Sequence, residues 1–308
     1  MTPSYIKLHE QGDLAARAEE LEKILASCNL CPRSCEADRL EGEIGTCETG
    51  RLPKVSSSFP HFGEEAPLVG RRGSGTIFFT HCNLKCSFCQ NYDISHEGSG
   101  RETGSERLSA VMLELQKTGC HNINFVTPTH VTAQIVEALP LAVDRGLSLP
   151  IVYNCGGYES VETLKLLEGI VDIYMPDFKF WDPAVAARFT QAADYPERAR
   201  EALKEMHRQV GDLVIDGEGI AGRGILLRHL VMPGGLAGTA EIMKFLADEI
   251  SPQTYVNIMP QWRPCGSAVV EGDVGRRITD REFKEALEAA LDAGIERLDD
   301  RRVALLLF

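Results

Sequence analysis

Basic residues are scarce in this sequence of 308 residues. It has 32 lysines and arginines against 45 aspartates and glutamates, so its formal net charge at pH 7 is −13. A protein that binds a nucleic acid duplex normally presents a basic face to the phosphates, and no such face is evident here. The composition therefore argues against nucleic acid as a partner.

Long apolar runs are absent as well. No stretch approaches the roughly 20 apolar residues that a helix needs to cross a bilayer, and residues 1–7 lack the apolar core of an export signal. We therefore predict a protein without membrane association, located in the cytoplasm. In that reducing compartment the ten cysteines are expected to bind metal rather than to form disulfides.

Repeats and low-complexity segments are also missing, and 44% of the residues are hydrophobic, which is enough for a sizeable core. We predict two parts. Residues 1–70 form a helix followed by a cysteine-rich metal-binding segment, and residues 71–308 form one large α/β domain.

Strand and helix patterns alternate from about residue 75 onward. Apolar, β-branched or aromatic runs predict strands at 76–80, 122–126, 150–154, 171–175, 225–232 and 254–258. Helical patterns lie near 106–118, 131–145, 160–168, 197–210, 239–249 and 280–293. Repeated βα units imply a parallel sheet. Because six units are fewer than the eight of a closed TIM barrel, we predict an open (β/α)6 partial TIM barrel.

Three cysteines with C-x3-C-x2-C spacing follow the first predicted strand: Cys82, Cys86 and Cys89. Thiolates are soft ligands that suit iron–sulfur clusters. A [4Fe–4S] cluster has four irons, so three cysteines leave one iron free to bind a small molecule. A structural zinc site needs four closed ligands, and a disulfide framework belongs to small secreted chains. The loop therefore predicts a catalytic [4Fe–4S] cluster.

This loop resembles the signature of the radical S-adenosylmethionine (radical SAM) superfamily. The resemblance implies that the open iron chelates the amino and carboxylate groups of SAM. It also implies that the reduced cluster cleaves SAM to methionine and a 5′-deoxyadenosyl radical, which takes a hydrogen atom from a substrate. Phe88, directly before the third cysteine, has the position that in this superfamily packs near the adenine.

A second group of cysteines precedes the predicted barrel: Cys28, Cys31, Cys35 and Cys47. Four thiolates can close a tetrahedral site, and both zinc and an auxiliary iron–sulfur cluster are held in this way. The close grouping argues against unrelated buried cysteines. We predict a second metal site, and the spacing leaves open which metal it holds.

Polar, glycine-rich or proline-rich residues follow the predicted strands. In α/β barrels functional side chains collect at the C-terminal ends of the strands. The residues at these ends are 127–130, 154–158, 176–179, 228–235 and 259–266. Residues two apart on a strand point the same way, so Asp177 and Lys179 are both expected to face the lumen, either beside SAM or as a supporting ion pair.

Nearly the whole sequence resembles the PflX-like radical SAM proteins, relatives of the pyruvate formate-lyase activating enzymes. The resemblance lies in the cysteine motifs and in residues 61–65, 73–79, 128–130, 153–158, 177–179 and 227–234. In activating enzymes an Asp-x-Lys pair on the fourth strand lies near SAM, and Asp177 and Lys179 match it. Arg228 matches an arginine of the fifth strand, and Asn154 matches an Asn-Gly turn after the third.

The sequence departs from the family after the second strand. Many relatives carry a Gly-Gly-Glu-Pro type motif there, which receives the SAM ammonium, whereas this chain has Thr127, Thr129 and His130. Threonine hydroxyls, backbone carbonyls or the imidazole are alternative acceptors for that ammonium. His130 is equally well interpreted as a helix N-terminal residue without a ligand role.

Two further cysteines, Cys155 and Cys265, lie at predicted strand ends. Each is a candidate to donate hydrogen to a substrate radical, although free cysteines are more often simply buried.

These patterns predict a radical SAM oxidoreductase that uses SAM and a [4Fe–4S] cluster and receives electrons from a flavodoxin or ferredoxin. By resemblance, its substrate is a protein or peptide, as in glycyl-radical activation. A small metabolite such as an amino acid is the alternative. A non-catalytic metal-binding adaptor is the alternative of another class, and the intact cluster loop argues against it.

Overall fold

The computed structural model describes residues 2–266 and 272–299. Over these ranges, ten strands form one sheet. They are β1 (Lys54–His61), β2 (Ser74–Phe79), β3 (Arg101–Glu102), β4 (Ile123–Val126), β5 (Ile151–Cys155), β6 (Ile173–Pro176), β7 (Val214–Ile215), β8 (Ala221–Leu230), β9 (Tyr255–Met259) and β10 (Arg297–Leu298). The order across the sheet is β10-β9-β8-β6-β5-β4-β2-β1-β3, and β7 pairs beside β8. Within the described residues the edge strands β10 and β3 do not pair, so the barrel is open.

Six of these strands are the six that the sequence predicts: β2, β4, β5, β6, β8 and β9. Each is parallel to its neighbour in this group. The prediction of an open, mostly parallel α/β barrel is therefore confirmed. A seventh parallel strand, β10, extends the sheet beyond β9.

The antiparallel edge formed by β1 and β3 was not predicted. β1 pairs antiparallel with β2 and with β3. Its sequence contains three consecutive serines and a proline, and it is half-buried or exposed throughout. Such a segment lacks the apolar run that marks a strand covered on both faces. β1 lies within residues 1–70, and the division of the chain at residue 70 stays a prediction.

Eleven α-helices lie around the sheet in the described part of the chain, most of them on its outer face. They are α1 (Ser4–Gln11), α2 (Asp13–Ile24), α3 (Ala66–Val69), α4 (Tyr92–Ser95), α5 (Ser105–Lys117), α6 (Thr132–Asp144), α7 (Val161–Leu166), α8 (Pro183–Thr190), α9 (Tyr195–Val210), α10 (Thr239–Phe245) and α11 (Asp280–Asp292). The predicted helices correspond to α2, α5, α6, α7, α9, α10 and α11. α8 was missed, although Asp182 and Pro183 at its start are a recognisable N-cap and first helical residue.

The parallel strands alternate between two apolar layers. Val152, Ile173 and Leu226 face the lumen, whereas their neighbours Tyr153 and Tyr174 pack toward the helices. This period of two fixes which side chains enter the lumen farther along each strand. By this alternation the lumen-facing set continues into Asn154, Asp177 and Arg228 at the strand ends.

A short segment after β1 closes the bottom of the lumen. Leu68, in α3, is fully buried and packs against the lumen residues of β5, β6 and β8. The Asn122 side chain, just before β4, donates to the Leu68 carbonyl at 2.9 Å. The lumen is therefore filled at the N-terminal ends of the strands, and space is left at their C-terminal ends.

The N-terminal helices are anchored to the start of the barrel strands. Leu14 and Leu21 of α2 are fully buried, and α2 packs against α6. The Asp172 carboxylate, just before β6, accepts hydrogen bonds from the backbone nitrogens of Ser4 at 3.1 Å and Ile151 at 2.9 Å. This buried carboxyl group joins α1 to two neighbouring strands.

Asp172 makes stability depend on pH. Burial raises the pKa of this carboxyl to about 6, although its two backbone donors oppose the shift. Between about pH 4 and pH 6 the folded state keeps a proton that the unfolded chain has released, so stability falls as pH rises through this window. The loss should be ~3 kcal/mol, since each pKa unit corresponds to about 1.4 kcal/mol.

Denaturant titrations at several pH values test this. Asp172→Asn should remove this part of the pH dependence, and the exposed Asp13→Asn variant should keep the wild-type profile. An Asp172→Asn protein with the same slope between pH 4 and pH 6 as the wild type would contradict the assignment.

Candidate active site

The loop that carries Cys82, Cys86 and Cys89 leaves the end of β2 in a tightly turned conformation. His81 and Lys85 have positive φ angles of 67° and 48°. This left-handed region costs a non-glycine residue roughly 1–2 kcal/mol. Such strain persists only where the surrounding structure imposes it and is common at functional sites. The turns direct the loop back over the open end of the lumen.

A cavity lies at the C-terminal ends of the parallel strands and brings together most of the predicted site residues. The cluster loop contributes Cys82, Cys86, Phe88 and Cys89. The strand ends contribute Phe78, Val126, Thr127, Asn154, Cys155, Asp177, Lys179, Arg228, Leu230, Met232, Met259 and Gln261. Every parallel strand from β2 to β9 therefore contributes to one site.

Three charged groups inside this cavity are bonded to one another. The Asp177 carboxylate accepts from Lys179 Nζ at 2.5 Å and from Arg228 Nε at 2.8 Å. Arg228 Nη2 donates to the Asn154 side-chain oxygen at 2.7 Å. Burial opposes charge on each group, but the two cations more than offset it and lower the pKa of Asp177. Asp177 in turn raises the pKa of Lys179 and of Arg228, so all three are charged at neutral pH.

Glycine is required where the chain passes beside Asp177. Gly157 has a φ of 79°, and a Cβ there would overlap the Asp177 carbonyl oxygen. The Tyr195 hydroxyl donates to the carbonyls of Gly156 and Asp177 at 3.0 Å, and the Lys179 backbone nitrogen donates to it at 2.8 Å. The turn after β5 and the end of β6 are thereby locked against each other.

The three thiols of the cluster loop have the donor chemistry of a [4Fe–4S] site. Burial raises the pKa of the Cys86 thiol to about 12, and Lys179 opposes this shift. Cys82 and Cys89 raise the pKa of Cys86 further, and the Ser95 hydroxyl donates to Cys89 Sγ at 3.1 Å. Among the described residues no His, Cys, Asp or Glu group is arranged to hold a single metal ion. A cluster distributes its cysteines over different irons, so the donor set fits it without such convergence.

Thr127 is the member of its motif that borders the cavity. Its φ of 59° is an outlier for a β-branched residue. Its backbone nitrogen donates to the Asn154 carbonyl at 2.9 Å. The strained turn directs the backbone after β4 toward the cavity. This observation comes from the backbone geometry alone.

Thr129 and His130 do not line this cavity. The Thr129 hydroxyl donates to the Glu159 carboxylate at 2.7 Å. His130 is buried, its Nε2 donates to the Thr80 carbonyl at 2.8 Å, and burial lowers its pKa to about 3. The neutral imidazole therefore supports the backbone before the cluster loop. The cofactor role that the sequence suggests for these two side chains stays a prediction.

The two cysteine candidates for hydrogen donation differ in position. Cys155 borders the cavity, but strand alternation directs its side chain to the outer layer, where its thiol bonds Glu159. Burial raises the pKa of Glu159 to about 7. Cys265 is half-buried and does not line the cavity. Phe88 borders the cavity and packs edge-on against Phe180 at 5.8 Å between ring centroids.

The four cysteines of the second group lie in a turn-rich segment between α2 and β1. Cys28, Cys31 and Cys47 are buried and Cys35 is half-buried. Burial raises the pKa of Cys31 to about 12, and nearby Cys47 and Cys28 raise it further. Gly45 passes so close to Cys35 that a Cβ there would overlap Cys35 Sγ.

This segment braces the cluster loop. Arg33 donates from Nε to the Asn83 carbonyl at 2.9 Å and from Nη2 to the Thr190 carbonyl at 2.7 Å. Glu48 forms an ion pair with Lys85 and lies 3.5 Å from His81 Nδ1. Lys85 lowers the pKa of Glu48, in keeping with that pair.

Sequence reasoning missed two polar contributors to the site. Glu64 Oε2 lies 3.7 Å from Arg228 Nη1 and reaches the network from the segment that closes the lumen. Ser95 reaches Cys89 from α4. Glu64 lies within residues 61–65, which carry part of the family resemblance. That resemblance is the one feature of the sequence that points to a role for Glu64 in the site. No pattern in the sequence pointed to Ser95.

Comparison with known proteins places the chain in a family. The radical SAM superfamily model matches residues 76–218. The uncharacterised protein MJ0674 of Methanocaldococcus jannaschii is 33% identical over 296 residues, which cover 93% of this chain and 81% of that protein.

Solved structures with a similar fold are known at low identity. Native anSMEcpe with bound AdoMet and the Kp18Cys peptide has a TM-score of 0.50 at 10% identity, over 74% of this chain and 64% of that one. The FeFe-hydrogenase maturase HydG from Carboxydothermus hydrogenoformans has a TM-score of 0.49 at 15% identity, over 72% and 52%. This chain thus covers between half and two thirds of their lengths, and the likeness concerns the fold alone.

Within residues 2–266 and 272–299, no helix has the length and apolar character needed to cross a membrane. The matched range 76–218 contains the cluster loop and the strand ends that carry Asn154, Asp177 and Lys179. It also spans most of β2 and all of β4, β5 and β6 of the open parallel barrel. Residues 76–218 form a radical SAM superfamily domain, and the chain is a radical SAM enzyme.

Proposed function

We propose that this enzyme reductively cleaves SAM at a [4Fe–4S] cluster held by Cys82, Cys86 and Cys89, and that the resulting 5′-deoxyadenosyl radical abstracts hydrogen from a substrate. One observation carries the proposal. The three cysteines border the same cavity as the charged group formed by Asp177 and Arg228, at the C-terminal ends of parallel strands. When bound, the cluster would supply an electron and one iron without a protein ligand.

The charged residues are suited to the amino acid part of SAM. Lys179 and Arg228 are cations that can attract a bound carboxylate, although Asp177 and Glu64 offset much of their charge. Lys179 also favours the thiolate form of Cys86. The Asp177 carboxylate is an acceptor for an ammonium or for ribose hydroxyls. Backbone carbonyls near the strained Thr127 are further acceptors, and Phe88 supplies an apolar wall for the adenine.

The proposed substrate is a protein or peptide, as in the activating enzymes that the sequence resembles. A pair of stacked aromatic rings, Phe59 and Phe78, supports this choice. Phe78 borders the cavity and stacks on Phe59 with 5.6 Å between ring centroids, and Phe59 is 41% exposed. These two rings extend from the cavity to the surface on the β1 side of the open barrel. An apolar side chain presented on a loop would fit such a path better than a small charged metabolite.

The proposal includes two further components. A one-electron donor such as a flavodoxin or ferredoxin would reduce the cluster, in keeping with a cytoplasmic location. A second metal, zinc or an auxiliary iron–sulfur cluster, would be held by Cys28, Cys31, Cys35 and Cys47.

Replacing all three cluster cysteines tests the central reaction. Protein reconstituted anaerobically with iron and sulfide should form 5′-deoxyadenosine from SAM under dithionite. The Cys82/Cys86/Cys89→Ala variant should form none, because no thiolate remains to hold the cluster. Cys120→Ala is the matched control, since Cys120 is buried but lies outside the cavity. Continued cleavage of SAM by the folded triple variant would refute the proposal.

Asp177→Asn tests the binding of SAM. The change removes the carboxylate that positions Lys179 and Arg228, so SAM should bind about tenfold to a hundredfold more weakly, or roughly 1.5–3 kcal/mol. Titration of SAM against the EPR signal of the reduced cluster measures this directly.

Asp273→Asn is the control for Asp177→Asn, because Asp273 pairs with Arg188 at an exposed position, where an ion pair contributes little. Unchanged SAM affinity and cleavage in folded Asp177→Asn would show that Asp177 serves only the ion pairs within the protein.

The class of substrate can be tested with extracts of cells grown in deuterated medium. The extract is divided by ultrafiltration into macromolecular and small-molecule fractions, and each is incubated with the reduced enzyme and SAM. We expect deuterium in 5′-deoxyadenosine with the macromolecular fraction, and its loss after protease treatment. Transfer from the small-molecule fraction alone would favour a metabolite substrate instead.

A further inference from the structure

Ser95 carries a buried hydroxyl group that contacts one of the cluster cysteines. Only 7% of the residue is exposed, and it borders the same cavity as the three cluster cysteines. Its Oγ donates to Cys89 Sγ at 3.1 Å and lies 2.8 Å from His96 Nδ1. The hydroxyl group therefore connects a cluster cysteine with an imidazole ring.

Backbone hydrogen bonds hold Ser95 against the cluster loop. Within α4, the Ser95 backbone nitrogen donates to the Asn91 carbonyl at 2.9 Å. The backbone nitrogen of His81, at the start of the loop, donates to the Ile94 carbonyl at 2.9 Å. Because Asn91 lies shortly after Cys89, α4 is tied to both ends of the loop. The position of the Ser95 hydroxyl group is thus set by the fold of the loop.

The His96 ring has little freedom to move away from Ser95. It stacks on the Tyr92 ring, with 4.1 Å between the ring centroids and 8° between the planes. The His96 backbone nitrogen also donates to the Tyr92 carbonyl at 2.9 Å. The imidazole is therefore held beside the Ser95 hydroxyl group, with Nδ1 within hydrogen-bonding distance of its oxygen.

Binding of iron by Cys89 fixes the direction of both hydrogen bonds. A thiolate that binds a metal has no hydrogen left, so Cys89 can only accept. The single hydrogen of the Ser95 hydroxyl group then points to the sulfur, and the Ser95 oxygen accepts from His96 Nδ1. His96 thus holds the hydroxyl group in the orientation in which it donates to Cys89.

Different groups act on the other two sulfurs of the loop. The Leu84 backbone nitrogen donates to Cys82 Sγ at 3.4 Å. Lys179 opposes the rise in the pKa of the Cys86 thiol, and it belongs to the charged group proposed for SAM. Ser95 can therefore be changed without altering either the backbone donor or the charges in the cavity.

We propose that Ser95, oriented by His96, raises the reduction potential of the [4Fe–4S] cluster at the three cluster cysteines. Reduction transfers one electron from the flavodoxin or ferredoxin to the cluster, and no bond is formed or broken. The added negative charge is shared by the cluster sulfurs. A hydrogen bond to a sulfur is stronger when that sulfur carries more negative charge, so the bond from Ser95 stabilises the reduced state. The inference rests on the proposed function and adds a positioning residue from outside the barrel strands.

A redox titration of the reconstituted protein tests the role of Ser95. The EPR signal of the reduced cluster is recorded against potential without SAM, so that contact between Ser95 and SAM does not contribute. Ser95→Ala should make reduction about tenfold less favourable, a shift of about 59 mV to more negative potential for a one-electron couple. Ser95→Thr, which keeps the hydroxyl group, should remain near the wild-type potential. Iron and sulfide content should be the same in all three proteins.

Two further variants separate the hydrogen bonds from general effects of mutation. Ser99→Ala is the matched control, because Ser99 follows α4 but is exposed and lies outside the cavity. His96→Phe keeps a ring to stack on Tyr92 and removes Nδ1, so it should shift the potential in the same direction but by less. In the Ser95→Ala background, His96→Phe should cause little further shift, because His96 acts through Ser95.

Equal potentials in wild type and in Ser95→Ala with full cluster content would overturn the proposal. If Ser95→Ala does not hold the cluster, Ser95→Thr is compared with Ser95→Val, which has a similar shape but no hydroxyl group. A more negative potential in the valine variant then supports the proposal, and equal potentials overturn it. A wild-type protein that forms no 5′-deoxyadenosine contradicts the proposed function instead, so the two failures are distinct.

Discussion

A half-buried carboxylate that lies between two cations holds the open end of this barrel in shape. Asp177 accepts from both Lys179 and Arg228, and Arg228 continues the network to Asn154. The ends of β5, β6 and β8 are thus joined through one charged group. Each of these half-buried charges would be unfavourable without an opposite charge beside it, so their positions are tightly coupled. Lys179 also acts on Cys86, which brings the cluster loop into the same electrostatic unit. A closed barrel would hold its strand ends by continuous pairing, whereas this open sheet depends more on such side-chain links.

The interior strands could be predicted from the sequence because both of their faces are covered. Lumen residues such as Val152 and outward residues such as Tyr153 are both buried, so the strand reads as an uninterrupted apolar run. The edges of the sheet do not give that signal. β1 is half-exposed and rich in serine, and β10 extends over two residues, too few for any periodicity. The lumen-closing turn around Leu68 was not predictable either, since its apolar residues are buried by strands that are distant in the chain.

The same reasoning explains which site residues could be predicted. Alternation along a strand places Asn154, Asp177, Lys179 and Arg228 on the lumen side once the strands are known, and they do border one cavity. Alternation no longer predicts the direction of a side chain once the chain leaves the strand. After β4 the backbone turns sharply at Thr127, so Thr129 and His130 lie behind the wall of the cavity rather than in it. Contributions from outside the barrel repeat, such as Glu64 and Ser95, depend on tertiary packing that no local pattern encodes.

The two thiol-rich loops are linked by more than their position in one domain. The cluster loop contains two strained non-glycine residues, and the four-cysteine segment supplies partners to both of them through Glu48. Arg33 donates to the Asn83 carbonyl inside the cluster loop. Arg39 donates to the His130 carbonyl, and the His130 ring in turn donates to the Thr80 carbonyl just before that loop. These contacts are directional and charged, and they join the loops at several points rather than at one. A displacement of the N-terminal segment would therefore release the strain in the cluster loop and move its sulfurs. Such coupling gives a physical reason for a cysteine-rich segment to be packed against a radical SAM barrel, because the geometry of one set of thiols is maintained by the residues that position the other.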